Sequence, residues 1–220
     1  QTKSSIDAKT IKVLNPKEVV FEGGRELELD AVSEVPRYYV CNAYGVCGIY
    51  SAPGTAVKEA YDTSGIVTND RGVTVWLKGN RVSRNQIMAI KEESVTEQKN
   101  SLAVCLDNIL RHAGITRNTE YDLAQGKTAT AILSENMTGV QVLDLSGCTL
   151  DAVLYYVNQD IPVLAILEDG EAVLVTGFNE FNVVIMEPAT GKLYKKGMND
   201  ATAWFAENGN HFITYMRTEN

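Results

Sequence analysis

The sequence predicts an α+β protein with a small β-rich part, residues 1–88, and a larger part, residues 89–220, in which helices precede an antiparallel sheet. Three observations lead to this fold class. Short alternating apolar runs separated by Gly, Asn and Asp fill the first part, as in strands joined by tight turns. Apolar residues recur at helical spacing after residue 100, and β-branched runs separated by turns follow Pro162.

The elements predicted in the first part are short. Asn69–Gly72 has the composition of a turn and makes a hairpin of the strands on either side. Ala56–Tyr61 is predicted to form a short helical turn. The predicted strands are Tyr38–Cys41, Val46–Tyr50, Ile66–Thr68 and Val73–Leu77.

The second part begins with a polar stretch, Lys91–Lys99, that suits a linker or a helix start. A helix is predicted from Ser101 to Gly114, because apolar residues recur there every three or four positions. Asn100 or Ser101 could cap its start, and Gly114 ends it. Further helices are predicted at Thr128–Asn136, Leu150–Asn158 and Asp200–Glu207.

The strands predicted in the second part follow the loop that ends at Pro162. The dipeptide Asp169-Gly170 is typical of a hairpin turn, and a second turn is predicted at Thr190-Gly191. Helices first, then strands with one late helix inserted, is an α+β order. The predicted strands are Ile161–Leu167, Ala172–Thr176, Val183–Met186 and Phe212–Tyr215.

The bulk composition excludes several classes of function. The 220 residues carry a formal net charge of −8, and the basic residues are scattered, which argues against binding to nucleic acid or anionic membranes. No apolar stretch is long enough to span a bilayer. The glycines form no phosphate-binding loop, so no nucleotide cofactor is expected. Because the chain starts at Gln1, we expect a processed or trimmed protein from which a leader could have been removed.

The four cysteines do not make a disulfide scaffold, but two of them could form a pair. If Tyr44-Gly45 is the centre of a hairpin turn, Cys41 and Cys47 lie directly opposite each other, close enough for a bridge. The alternative is two reduced, half-buried thiols. A bridge would indicate an oxidising compartment.

Four segments of the second part carry a resemblance to a known family. They are Ser101–Gly114 (SLAVCLDNILRHAG), Ile161–Leu167 (IPVLAIL), Glu171–Phe178 (EAVLVTGF) and Val183–Gly191 (VVIMEPATG). Together they resemble the bacteriocin-processing type of cysteine peptidase, family thirty-nine of the peptidase scheme. The resemblance implies a papain-like fold, with a helix packed against an antiparallel sheet. The first part is similar to β-rich modules of secreted Clostridia-like proteins, a resemblance that implies a secreted or cell-envelope bacterial protein.

The resemblance places Ser101, Glu171 and Glu187 where the family has its catalytic Cys, His and Asp. A cysteine peptidase needs a thiolate and an imidazole that activates it, and neither stands at its expected position. The glutamine that forms the family's oxyanion hole is also unmatched, because Gln98 is too close to Ser101 and Gln86 is too far from it. The resemblance therefore implies a scaffold that has lost its catalytic residues.

Other residues could supply a nucleophile. Cys105 is the alternative nucleophile, but it lies one turn past the expected place and within the apolar stripe, so we predict a core residue. Ser101 has the right spacing to Gly114, but serine needs a base, and its simpler interpretation is a helix cap. Cys148 precedes a helix whose dipole could lower its pKa, although a structural role is favoured.

The two histidines are weak candidates for a base. His112 lies two turns along the helix from Cys105, about 10 Å of rise, which is too far for proton transfer. His211 begins the final strand and is the alternative base for Ser101 or Cys105. Neither has a metal-ligand spacing, so we expect no metal ion and no other cofactor.

Three functions stay open at this point. The favoured one is a non-catalytic peptidase-like domain that binds a peptide or a protein partner. The second is an active peptidase that uses Cys105 or Ser101 with His211. The third is a purely structural surface module. If Glu171 and Glu187 lie close together, they could do acid–base chemistry or bind a cation or a basic peptide; otherwise they are solvated strand-edge residues.

Overall fold

The computed structural model of the chain describes residues 35–79 and 100–218, and the backbone of three short strands between residues 11 and 26. These strands form an antiparallel sheet and are β1 (Ile11–Asn15), β2 (Glu18–Phe21) and β3 (Arg25–Glu26). The boundary predicted between residues 88 and 89 lies outside the described residues. The same holds for Lys91–Lys99 and for both candidate glutamines, Gln86 and Gln98.

The rest of the first part is a small antiparallel sheet with a helix. Its elements are β4 (Tyr38–Cys41), β5 (Cys47–Tyr50), α1 (Pro53–Thr63), β6 (Ile66–Asn69) and β7 (Thr74–Leu77). The strand order is β5-β4-β6-β7, and α1 packs on this sheet. The turn between β6 and β7 is the predicted one. Asn69 closes it by accepting bonds from the backbone N–H groups of Arg71 and Val73 with its side-chain oxygen.

The second part contains a larger antiparallel sheet with helices. Its helices are α2 (Ser101–His112), α3 (Glu120–Ala124), α4 (Ala129–Asn136), α5 (Leu150–Val157) and α6 (Met198–Glu207). Its strands are β8 (Val140–Asp144), β9 (Val163–Ile166), β10 (Ala172–Phe178), β11 (Asn182–Met186), β12 (Leu193–Gly197) and β13 (His211–Arg217). They pair in the order β12-β11-β10-β9-β13-β8. Mixed helices and an antiparallel sheet confirm the predicted fold class.

Strand β10 is the centre of this sheet. All seven of its residues are buried, and successive residues of a strand face opposite sides. Both faces of the sheet are therefore covered at this strand, and both α2 and α5 contact it. Such a strand reads as a continuous apolar run, which is why the segment Glu171–Phe178 stands out in the sequence.

Local chemistry sets the helix ends. Pro53 stands in the first turn of α1, where its missing N–H costs nothing, and Ser64 ends that helix with a left-handed φ of 54°. The predicted helix Ala56–Tyr61 is therefore too short at both ends. Asn100 is the N-cap of α2, since its side-chain oxygen accepts bonds from the backbone N–H groups of Leu102 and Ala103. Of the two predicted caps, Asn100 is therefore confirmed, and the alternative, Ser101, is wrong because it is the first residue of the helix.

Buried hydrogen bonds tie the two parts together. The hydroxyl of Tyr156 on α5 donates to the carbonyl of Val75 at 3.0 Å, and the indole N–H of Trp76 donates to the carbonyl of Ala152 at 3.0 Å. Both aromatic side chains are at most 2% exposed. They belong to one apolar cluster that runs through both parts, which fixes β7 against α5.

None of the helices in the described part of the chain has both the length and the apolar character needed to cross a bilayer.

The hairpin of β4 and β5 carries a disulfide between Cys41 and Cys47. The register of the two strands sets these residues directly opposite each other, as the turn prediction requires. Asn42 shapes the turn by accepting bonds from the backbone N–H groups of Tyr44 and Val46, each at 3.0 Å. The alternative of two reduced thiols at these positions is therefore wrong.

We expect the Cys41→Ser/Cys47→Ser double variant to lose about 2 kcal/mol of unfolding free energy, because the bridge closes a short loop in the unfolded chain. Chemical denaturation of the two proteins measures this loss. The denatured, unreduced wild type should contain two titratable thiols, those of Cys105 and Cys148. Finding four thiols, or equal stability, would contradict the bridge.

Candidate functional site

The candidate site lies where the start of α2 meets the start of β10. Ser101 is the first residue of α2, and its hydroxyl oxygen accepts a hydrogen bond from the backbone N–H of Ala172 at 2.9 Å. Glu171 directly precedes Ala172. The structure thus brings the nucleophile position and the histidine position of the resembled family together, although 70 residues separate them in sequence.

The hairpin between β9 and β10 explains this contact. Its turn is built on Asp169-Gly170, with Gly170 at a φ of 84° and the backbone N–H of Glu171 donating to the Asp169 carboxylate at 3.0 Å. The backbone N–H of Leu167 donates to the carbonyl of Glu171 at 2.8 Å, which closes the hairpin. The next N–H, that of Ala172, finds its acceptor in Ser101 on α2. The serine hydroxyl therefore joins helix and sheet.

Cys105 lies one turn further along α2 and is 0% exposed. Burial raises the pKa of its thiol, and the negative charge of Glu171 raises this pKa further. Both effects keep the sulfur protonated, whereas a nucleophilic cysteine needs a lowered pKa. A core position for Cys105 is thus confirmed by its burial.

Glu187 lies at the same end of the sheet, just past β11. The pairing of β10 with β11 begins with Leu174 opposite Met186, so Glu171 and Glu187 both stand beyond the last pair. The carboxylate of Glu187 accepts a bond from the hydroxyl of Thr190 at 2.8 Å within its own turn. Its side chain is exposed, and so is that of Glu171. The two glutamates therefore form an acidic, solvent-facing edge.

The alternative base, His211, lies further along the same sheet. His211 is paired with Ile166, and Ile166 is paired with Ala172, so two strand spacings separate His211 from Ala172. Two spacings amount to roughly 10 Å between the backbones, so His211 is not a direct strand neighbour of Ala172. The other histidine, His112, contacts the carbonyl of Asp160 at 2.8 Å. Within residues 35–79 and 100–218, no hydrogen bond joins either histidine to Ser101 or to a thiol.

Cys148 is a second buried thiol. It is 1% exposed, and its sulfur donates a hydrogen bond to the carbonyl of Gly54 at 3.3 Å. Burial raises its pKa to about 12. The idea that the dipole of the following helix could lower this pKa is therefore wrong, because the loss of solvation is the larger effect.

The α2–β10 junction combines a hydrogen-bonded serine with an acidic strand end. The serine oxygen already accepts the backbone N–H of Ala172, the exposed Glu171 directly precedes that N–H, and Glu187 is exposed at the same end of the sheet. Over the described part of the chain, no group of three or more His, Cys, Asp and Glu side chains is placed so that it could hold a metal ion. Carboxylates in such a setting can accept hydrogen bonds from basic side chains.

The bond between Ser101 and Ala172 is the part of the site that sequence reasoning missed. No spacing rule connects residues on different elements so far apart. The only signal was the resemblance itself, which paired the segment that starts at Ser101 with the one that starts at Glu171.

Comparisons with known proteins agree with this geometry at the level of the fold. No family model matches the sequence, and no curated protein matches it. One similar solved structure is a protein from Bacillus anthracis described as a "putative C39-like peptidase", with 12% sequence identity and a TM-score of 0.50. The match covers 62% of this chain and 100% of that chain. The protein thus has a peptidase-like fold of mixed helices and antiparallel strands.

Proposed function

We propose that this protein is a non-catalytic, peptidase-like domain that binds a peptide or a protein partner. The observation that carries the proposal is the hydrogen bond from the N–H of Ala172 to the hydroxyl of Ser101. It gives the residue at the nucleophile position a structural role. A serine nucleophile needs a base within about 3 Å of its hydroxyl, and the neighbouring side chain at the presumed base position is Glu171.

The other groups at the junction support the same conclusion. The thiol on α2, that of Cys105, is buried and protonated, so it cannot replace the missing nucleophile. The carboxylate of Glu187 accepts a bond from Thr190 within its own turn, and among residues 35–79 and 100–218 no hydrogen bond joins it to a histidine. Four components of a peptidase site would have to be replaced at once for hydrolysis, namely nucleophile, base, orienting carboxylate and oxyanion donor.

The ligand that we propose for the acidic edge is a basic segment of a peptide or protein. Glu171 and Glu187 are exposed at the same end of the sheet, and the chain has a formal net charge of −8. Opposite charges favour encounter with a cationic partner and disfavour an acidic one.

We further propose a secreted or cell-envelope location in a bacterium. The disulfide of the β4–β5 hairpin supports it, because such bridges persist in oxidising compartments and are rare in the cytosol. The measurement of free thiols in protein isolated from its native source tests this part separately.

The experiment that tests the function is incubation with a mixed peptide library, followed by mass spectrometry of new peptide ends and of retained peptides. We expect no cleavage, and we expect enrichment of basic peptides that weakens in Glu171→Gln/Glu187→Gln. The Ser101→Ala variant should lose about 1 kcal/mol of stability, because the N–H of Ala172 loses its acceptor, and should keep its binding. Ser134→Ala, at an exposed helix position, is the matched control for stability.

Two results would refute the proposal. One is cleavage by the wild type that disappears in Ser101→Ala, Cys105→Ala or His211→Ala. The other is the absence of any retained peptide together with no change in Glu171→Gln/Glu187→Gln.

A further inference from the structure

A separate cavity lies between α1, β7 and α5, away from the α2–β10 junction. Its volume is about 230 Å³, several times the roughly 30 Å³ share of one water molecule. Three aromatic side chains contribute to its lining, Tyr61 from α1, Trp76 from β7 and Tyr155 from α5. The carboxylate of Asp151 and the ammonium group of Lys78 line it as well.

The aromatic rings are arranged around Trp76. The ring centres of Tyr61 and Trp76 are 6.1 Å apart, and those of Trp76 and Tyr155 are also 6.1 Å apart. The planes are tilted by 54° and 52°, so the three rings make an angled wall instead of a flat stack. Trp76 is almost fully buried and its indole N–H is fixed by the carbonyl of Ala152, whereas the two tyrosines are partly exposed.

Negative charge and negative ring faces meet in this cavity. The hydroxyl of Tyr61 donates to a carboxylate oxygen of Asp151 at 2.9 Å, which holds the carboxylate beside the rings. Aromatic faces carry negative potential and attract cations, most strongly when the cation is partly desolvated. A cavity lined by two partly exposed tyrosine rings, by the buried Trp76 behind them and by a carboxylate has the chemistry of a site for an organic cation.

A cation of the chain itself already uses part of this site. The ammonium nitrogen of Lys78 lies 4.9 Å from the ring centre of Tyr61 and 3.4 Å from the carbonyl of the same residue. Lys78 is exposed, and a lysine side chain is long and flexible, so a ligand can displace its ammonium group. The pair of Lys196 and Trp204, 5.2 Å apart, shows the same contact but takes no part in the lining of this cavity.

We propose that the cavity lined by Tyr61, Trp76, Tyr155 and Asp151 binds an alkylammonium group. The group could belong to a lysine side chain of a peptide or to a small quaternary ammonium compound, since both present a cation with apolar substituents. The site shares no residue with the acidic edge of Glu171 and Glu187, so this inference does not rest on the proposed function.

Nuclear magnetic resonance of the two tryptophan indole N–H groups provides the test, because the chain contains Trp76 and Trp204 only. The full protein is titrated with choline, with a lysine peptide and with 3,3-dimethyl-1-butanol, the uncharged isostere of choline. We expect a saturable shift of the Trp76 signal, with a Kd on the order of 1–10 mM, and no shift of Trp204. Choline alone, the lysine peptide alone, or both as ligands would each support the site and identify the source of the cation.

Variants distinguish specific binding in this cavity from non-specific binding elsewhere on the protein. Tyr155→Leu should weaken binding about 5–30-fold, because one ring is lost, while Tyr155→Phe keeps the ring and should bind as the wild type does. Lys78→Ala should bind more tightly, because its competing ammonium group is gone, and the matched control Lys196→Ala should show no change. Absence of a Trp76 shift with either cation, or equal binding of the uncharged isostere, would overturn the proposal.

Discussion

The Trp76→Ala variant is expected to lose about 3–5 kcal/mol of unfolding free energy, the usual cost of removing a large buried aromatic side chain. Trp76 is 2% exposed and packs near Tyr61 and Tyr155. Its removal leaves a void and also leaves the buried carbonyl of Ala152 without its indole donor. Denaturation monitored by far-ultraviolet circular dichroism measures the loss.

This variant also tests whether the two parts of the chain unfold together. One apolar cluster joins the small sheet to α5, so we expect a single transition that moves as a whole. Tyr121→Ala removes a 72% exposed side chain and should change stability by less than about 0.5 kcal/mol. A loss below about 1 kcal/mol for Trp76→Ala, or a first transition that shifts while a second stays, would contradict the common core.

The second large effect concerns the thiols. We expect Cys105 and Cys148 to react with a small alkylating reagent at pH 8 at least about 10³-fold more slowly in the folded protein than in denaturant. Both cysteine residues are at most 1% exposed, and burial raises the pKa of Cys148 to about 12. Reaction then requires opening of the fold. Ser134→Cys, at an exposed position of α4, supplies a thiol that should react at the ordinary rate.

The same burial predicts a direction for stability against pH. A raised pKa means that the folded protein holds the proton more tightly than the unfolded chain does. The stabilisation from Cys148 is therefore complete below its ordinary pKa of 9.0 and is lost as the pH rises from there toward about 12. In the alkylation experiment, fast labelling of Cys105 or Cys148 in the folded protein near neutral pH would contradict the account, because it would reveal an accessible thiolate.

Most of the fold could be predicted because its inner elements carry strong local patterns. The central strand β10 is a continuous apolar run, and α2, α4 and α5 begin at side chains that cap helices. Strands β8 and β12 were missed. They are the outermost strands of the large sheet, and their polar, half-exposed sequences, VQVLD and LYKKG, show no clear alternation.

The site could be predicted only in part. The family resemblance pointed to Ser101 and Glu171, which the structure brings side by side, but the bond that joins α2 to β10 depends on the tertiary fold. No sequence pattern predicted the aromatic cavity, because Tyr61, Trp76 and Tyr155 come from three separate elements. Nor could the pKa of Cys148 be judged from its place before a helix, since burial by other segments decides it.

The central claim is that no imidazole acts on the nucleophile position, and the Ser101→Cys variant tests it most directly. The alkylation rate of the introduced thiol, measured against pH, gives the pKa of a thiol at that position. We predict that this midpoint is the same in Ser101→Cys and in Ser101→Cys/His211→Ala, because the start of α2 and the charge of Glu171 act on the position in both proteins. A midpoint below about 6.5 that returns to the ordinary range in Ser101→Cys/His211→Ala would contradict the account and indicate a working catalytic pair.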